Sequence, residues 1–431
     1  MNKYRVLILA EQADHKQVSV PLVAWSHAIA LSKVADVHIV TQIRHRKSFL
    51  DYGLREGVDF TAIDTENIAA PLHKLSKILR GGSNKGWTTA MAISIPAYYY
   101  FEFKVWKKFK SQLRNNDFDI VHRISPLSPT KPSIIAKKCK KINIPFIWGP
   151  IAGGLPWPEG YNKERNKEKE WLSYLRSAYK LLPGYKSSRE NATALIIASI
   201  ATWKQVPEKY HNKCVYIPEN AIDPERFNIN YNNKSDDTLK LVFIGRLVPY
   251  KCPDIAIEAS RKLLENGDAT MDIIGDGPEM DKLVNLVSSY NLADKVKFHS
   301  NIPHKQVQEI MRNCDILVFP SIREFGGGVV LEAMALGVVP IVVNYGGPPE
   351  LLTSKNGIKV DISDKKALIN KFANEIEKLN SNRALLTNMA ENATSHISNN
   401  FTWDAKAQMT LKVYDWVTNK SEKPFFGMPI K

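Results

Sequence analysis

Short apolar runs alternate with helical patterns along this chain, and the alternation starts twice. In the first half, Arg5–Ala10, Val37–Thr41, Phe118–His122, Pro145–Trp148 (ending in Gly149), Ala194–Ala198 and Cys214–Ile217 read as strands. Helices are expected over Pro21–Lys33 and Ser133–Lys140. Buried strands separated by helices imply βαβ units and a parallel sheet. A polar, turn-rich stretch, Asn228–Asp237, then reads as a linker. Beyond it the pattern begins again, with strands at Leu241–Ile244, Met271–Ile274, Val296–His299, Ile316–Phe319 and Pro340–Val343 and a helix at Asp254–Glu265. A last helix is expected from about Ala405 to Val417. At ~100–200 residues per domain, 431 residues accommodate two α/β doubly wound domains. The expected division is 1–227, 228–404, and a terminal helix in 405–431 crossing back to the first domain.

Composition narrows the classes. Cys139, Cys214, Cys252 and Cys314 are scattered, with no CxxC pair, which argues against a disulfide framework or a zinc site and fits a reducing, cytoplasmic compartment. The apolar run Val6–Ala10 is cut short by Glu11, Gln12 and Asp14, so it reads as a buried strand, not a secretory signal. The net charge of +15 favours anionic partners. No nucleic-acid motif accompanies that charge, so nucleic acid is not expected as a partner. No apolar stretch approaches the ~18 residues that a spanning helix needs. The segment Tyr98–Arg114 mixes Tyr98, Tyr99, Phe101, Phe103, Trp106 and Phe109 with Lys104, Lys107, Lys108, Lys110 and Arg114. It reads either as a domain helix with its aromatics turned inward or as a basic helix lying on a membrane surface. Asp117-Phe-Asp119 matches a metal-binding pattern but lies before a strand, on the edge away from the expected ligands, so no metal site is expected.

In open parallel sheets, ligands bind beyond the carboxyl ends of the strands. After Ile244 come Gly245, Arg246 and Lys251, two cations suited to a diphosphate. After Ile274 comes the turn Gly275-Asp276-Gly277-Pro278, which lets backbone approach closely. After Phe319 comes a loop with Glu324, Phe325, Gly326, Gly327 and Gly328, then an apolar helix carrying Glu332. A glycine-rich helix start presents free N–H groups and a positive end to an anion. After Val343 comes Asn344-Tyr-Gly346-Gly347-Pro-Pro-Glu350, again glycine-rich.

Gly245-Arg-Leu-Val-Pro-Tyr-Lys251, Gly275-Asp-Gly-Pro278, the Glu324/Glu332 pair, Leu331–Gly337 and Gly346–Glu350 together resemble the signature of glycosyltransferase family 4. The segment Ile217-Pro-Glu-Asn-Ala-Ile-Asp223 is similar to the family's inter-domain segment, and the resemblance covers about residues 214–352. It implies a GT-B fold, two Rossmann-like domains facing across a cleft. It also implies retention of anomeric configuration without a metal or other cofactor, a nucleotide diphosphate sugar being the co-substrate. Arg246 and Lys251 would hold the diphosphate, Glu324 the transferred sugar and Glu332 the ribose. Gly245, Gly275, Asp276, Gly277, Phe325, Gly326, Gly327 and Gly328 would complete the donor site.

Two features depart from the family. The loop Glu11–Ser19 after the first strand has no glycine. Of the His-x-His that often follows an Asp-apolar-apolar strand, only His122 remains. His122 is therefore carried both as a catalytic candidate and as a structural histidine at a strand end. The glycines of Trp148–Trp157, Gly153 and Gly154, are expected to line the acceptor side in place of the missing loop. A lipid-linked saccharide at an anionic membrane surface is the expected acceptor. That would place the chain at the inner face of the plasma membrane, in surface polysaccharide or glycolipid assembly. The alternatives are a nucleotide-sugar epimerase or phosphorylase on the same scaffold, or a non-catalytic nucleotide-sugar-binding protein.

Overall fold

A computed structural model describes residues 3–79, 93–162, 165, 178–227, 229 and 238–427. Of the stretch read as a linker, only Ile229 is among them. Among the described residues, thirteen strands form two sheets. The first contains β1 (Arg5–Ala10), β2 (Asp36–Gln42), β3 (Phe60–Ile63), β4 (Ile120–Ser125), β5 (Phe146–Ile151), β6 (Ala194–Ile197) and β7 (Cys214–Tyr216). The second contains β8 (Leu239–Ile244), β9 (Ala269–Ile274), β10 (Val296–His299), β11 (Ile316–Phe319), β12 (Val339–Val343) and β13 (Ile358–Val360). Their orders are β3-β2-β1-β4-β5-β6-β7 and β10-β9-β8-β11-β12-β13, with every pairing parallel. The winding direction reverses between β1 and β4 in one sheet and between β8 and β11 in the other. Such a reversal opens the crevice in which doubly wound sheets bind ligands.

The chain folds as two units: Met1–Gly154, Glu168–Glu219 and Trp403–Lys431 form the first, and Leu155–Lys167 and Asn220–Thr402 the second. In the second unit, alternate residues of β8 and β11 leave the sheet on opposite faces. Leu241, Phe243, Ile316 and Val318 pack under the Pro253–Asn266 helix with Ile255 and Ala256. Val242, Leu317 and Phe319 pack against Val330, Leu331 and Met334 of the Gly328–Ala335 helix. Both faces are covered, so these strands read as continuous apolar runs.

In the first unit the Ile95–Arg114 helix buries Tyr98, Phe101, Val105, Phe109 and Leu113, spaced to form one apolar stripe. They pack with Leu7, Leu9, Val121 and Trp148. The outer side keeps Phe103 exposed and Trp106 half-buried, with the Lys138 Nζ 5.2 Å from the Trp106 ring centroid. The terminal helix, Trp403–Val417, packs on the Val20–Val34 helix.

Several expected boundaries are corrected. β4 starts at Ile120 and continues to Ser125, because Arg123 and Ser125 pair with Leu9 and Ala10 of β1. β5 continues past Gly149 to Ile151, which pairs with Ile197. Sheet pairing carries both strands beyond their apolar runs. β3 and β13 were not expected: each is short and lies at a sheet edge, where one partner suffices.

Candidate functional site

The β8/β11 switch point brings together the first two expected groups. Lys251 follows β8 in a short 3-10 turn, Pro249–Lys251, and Glu324 lies in the loop after β11. The Lys251 Nζ donates to Glu324 Oε2, and both side chains are largely buried. The ammonium also sits 5.1 Å from the Phe319 ring centroid. The Arg246 side chain is exposed and makes no hydrogen bond or ion pair among the described residues. One cation is thus pre-positioned by a carboxylate, while the other stands in solvent, able to turn to an arriving anion.

The glycines bring the loops close together. A Cβ on Gly275 would collide with the Gly245 carbonyl oxygen, and one on Gly277 with that of Leu247. The two loops are joined by Gly245 N→Ile274 O at 3.0 Å and Leu247 N→Asp276 O at 2.9 Å. A Cβ on Gly347 would strike the Phe325 carbonyl, and Gly347 N donates to Glu324 O at 3.0 Å. These glycines let neighbouring loops lie backbone against backbone and so fix the Lys251 and Glu324 loops. Asp276 is bonded locally, its Oδ1 accepting from Gly277 N at 2.7 Å.

Gly327 takes a left-handed conformation, φ +60°, and caps the Gly328–Ala335 helix without a side-chain hydrogen bond. The first N–H groups of a helix have no intrahelical acceptor. Here they follow the Glu324–Gly326 loop directly, giving an anion a positive helix end. Phe325 carries the Arg323 guanidinium 5.4 Å from its ring centroid, and that guanidinium lies 4.9 Å from the Trp157 ring. Glu332, half-buried, is 3.3 Å from His304 Nε2, whose ring lies edge-on to Phe227 at 5.3 Å. Sequence reading missed His304, which follows β10 and meets Glu332 only through the fold. It also missed Trp157, whose segment counts with the second unit. Trp157 lies edge-on to Tyr250, and Tyr345 OH donates to Pro156 O at 2.9 Å.

The remaining residues belong to the first unit. His122 is fully buried in the middle of β4, which corrects its expected place at a strand end. Its Nδ1 is 2.8 Å from the Tyr414 hydroxyl and its Nε2 2.8 Å from the Gly149 carbonyl. Only a donor can face that carbonyl, so Nε2 carries the proton and Nδ1 accepts from Tyr414. Burial pushes the His122 pKa down to about 4. Gly153 exchanges hydrogen bonds with Thr202, through N→Oγ1 at 3.2 Å and Oγ1→O at 2.9 Å. Gly154 offers its carbonyl to Gln205, whose side chain fills the space a Cβ would need. Both glycines fit the loop to the Ile200–Trp203 turn of helix. Asp119 is tied to Arg5 at the amino ends of β1 and β4, with Nη2→Oδ1 at 2.7 Å. Among the described residues no three His, Cys, Asp or Glu gather as a metal site would need, and no helix is long and apolar enough to cross a membrane.

Two doubly wound parallel sheets with phosphate-suited loops at a switch point define a GT-B-like α/β protein. The Anabaena HepE structure in complex with UDP and glucose has this fold, at TM-score 0.59 and 16% identity over 95% of this chain and 99% of that one. Residues 225–396 match the glycosyl transferases group 1 family. An uncharacterized glycosyltransferase of Methanocaldococcus jannaschii is 28% identical over 45% of this chain and 52% of its own length. The phosphatidylinositol N-acetylglucosaminyltransferase GPI3 subunit of Saccharomyces cerevisiae is 26% identical over 44% of this chain and 41% of its own. The chain spans about half the length of these curated relatives.

Proposed function

We propose that this protein is a retaining glycosyltransferase that moves a sugar from a nucleotide diphosphate to an acceptor hydroxyl without a metal ion. The observation that carries the reading is the buried Lys251–Glu324 pair at the β8/β11 switch point, beside exposed Arg246 and the start of the Gly328–Ala335 helix. Fixed cations and a helix N-terminus stabilise the negative charge that develops on a departing diphosphate. On donor binding Lys251 turns part of its charge to the diphosphate, and Glu324 accepts hydrogen bonds from sugar hydroxyls. Glu332, held by His304, takes the ribose hydroxyls. The anomeric carbon–oxygen bond to phosphate breaks as the acceptor oxygen bonds on the same face. The acceptor proton passes to the released phosphate oxygen.

The proposed acceptor is a lipid-linked saccharide at an anionic membrane surface, in surface polysaccharide or glycolipid assembly. The net charge of +15 supports this, as does the outer side of the Ile95–Arg114 helix, where Phe103 and Trp106 stand among Lys104, Lys107 and Lys138. The test is a thermal-shift series with nucleotide diphosphate sugars, uridine donors first because HepE binds UDP, beside R246A/K251A. A rise with one nucleotide class that disappears in the variant is expected, since a ligand bound only by the folded state raises its midpoint. An equal rise in both proteins would remove these cations from the donor site.

A further inference from the structure

Beneath the loop that follows β4, the first unit buries three cations. Arg123 is 0% exposed, Lys131 1% and Arg189 3%. The Arg123 guanidinium lies between two aromatic rings, 4.6 Å from the Tyr98 centroid and 4.8 Å from that of Trp148. Arg189 stacks on Tyr185 at 3.8 Å and is 5.1 Å from Trp148, and Lys131 Nζ is 5.8 Å from Tyr98. Two carboxylates face the group. Glu102 is already occupied, accepting from Tyr98 OH at 2.6 Å and from the N–H groups of Ile134 and Ile135 at 2.6 and 3.2 Å. Glu11, just past β1, acts on Lys131 only through space, and its Oε2 is buried without a hydrogen-bond partner among the described residues.

The positive charge therefore exceeds the negative in a place where charge is costly. Buried polar groups are ordinarily hydrogen-bonded, yet Arg123 Nε and Nη1 and Trp148 Nε1 are buried with no such partner among the described residues. The guanidinium bonds that do exist end largely on one loop. Arg123 Nη2 donates to Pro126 O at 3.3 Å and Arg189 Nη2 to Pro129 O at 3.2 Å, while Arg189 Nη1 donates to Tyr185 O at 3.0 Å. Loop carbonyls thus occupy donors shaped for an oxyanion. The loop's half-exposed residues, Ser128 and Thr130, are bonded to each other at 2.8 Å. It lies at the carboxyl end of β4, beside the β1/β4 switch point.

We infer that Arg123, Arg189 and Lys131 form a site for a phosphoryl group in the first unit, using none of the proposed donor residues. Free phosphate and a phosphomonoester borne by the acceptor share this chemistry. The test uses the full chain carrying R246A/K251A, so that the donor cations cannot contribute and failure of the donor reading leaves the result intact. Inorganic phosphate is titrated at constant ionic strength against chloride, with the thermal midpoint and calorimetric binding recorded. Glucose 1-phosphate forms a second arm and neutral glucose a control. The expected result is a saturable phosphate response, weakened at least about tenfold by R123Q. R189K, which keeps the charge and removes the fork, is expected to weaken it too and decides the matter if R123Q does not fold. Glucose 1-phosphate binding as tightly as phosphate points to an acceptor-borne group, and phosphate alone to the free anion. Phosphate acting no differently from chloride, or equally in the parent and both variants, overturns the site.

Discussion

Lys251 and Glu324 hold each other largely out of water, so replacing either changes two things at once. K251M removes a diphosphate partner and leaves Glu324 half-buried without its cation. We expect nucleoside diphosphate binding to fall and transfer to drop by about 10²–10³-fold, the scale of losing one fixed charge-stabilising group. E324Q removes only the carboxylate's charge, so nucleoside diphosphate binding by calorimetry should persist while transfer falls. Loss of both in E324Q would make Glu324 a scaffold for Lys251 and not a sugar ligand. The loop glycines give a different expectation. G275A and G347A each drive a methyl group into a neighbouring carbonyl. Each should destabilise by about 1–3 kcal/mol in chemical denaturation, through backbone displacement and strain. At this scale the sequence was informative where chemistry sits next to a strand end: Lys251 and Glu324 follow β8 and β11 at readable distances. It was silent where partners meet only in three dimensions. His304 finds Glu332 from another helix, and Arg123, just past the run read as a strand, meets Tyr98 and Trp148 only through the fold.

The terminal helix is held by neutral buried groups on its inner side and by charged ones nearer the surface. His27 on the Val20–Val34 helix lies 3.2 Å from Thr410, and His122 on β4 lies 2.8 Å from Tyr414. Tyr4 OH donates to Asp415 at 2.6 Å, and Lys33 pairs with Asp404 at 2.9 Å. Desolvation holds His27 well below the usual histidine range, helped by the nearby Lys406 charge and His122. Desolvation likewise takes His122 to about 4 and Lys406 to about 7. The unfolded chain binds protons at these histidines below about pH 6.5, whereas the fold resists them, so stability falls as pH drops from there toward 4. Each histidine contributes about 1.4 kcal/mol per pH unit across its window. Lys406 titrates above this range, between its folded value and the usual ~10.4, and adds nothing to the acid loss. Urea denaturation at pH 7 and pH 5 should therefore show a marked loss that shrinks in H27Q. An equal loss in H27Q would mean that carboxylates, not this helix seam, set the acid limit. Helix and strand existence was largely legible from periodicity. Lengths were not, because pairing with β1 carries β4 past its apolar residues and edge strands such as β13 need only three.

Taken whole, the chain carries an excess of lysine and arginine, +15 in all, and most of it lies outside the apolar sheets. At low ionic strength we expect co-sedimentation with vesicles containing anionic lipid, fading as salt shortens the screening length to about 10 Å at 0.1 M. Replacing Lys104, Lys107, Lys108 and Lys110 by glutamate should weaken it more than the same number of changes on the second unit. No binding to anionic vesicles in low salt would remove the membrane from the proposed acceptor. The doubly wound class could be read from the restart of the strand–helix alternation. The path of the chain could not, since short segments such as the one beginning at Leu155 carry no periodicity that says which sheet they join. That path has a consequence in time. The seven strands of the first sheet end at Tyr216, but the helix that covers His27 and His122 starts only at Trp403. As the polypeptide emerges from the ribosome, the unit begun first is therefore completed last. While Asn220–Thr402 of the second unit is being synthesised, the first waits with its buried histidines uncovered, a stage at which a chaperone would find its binding surface.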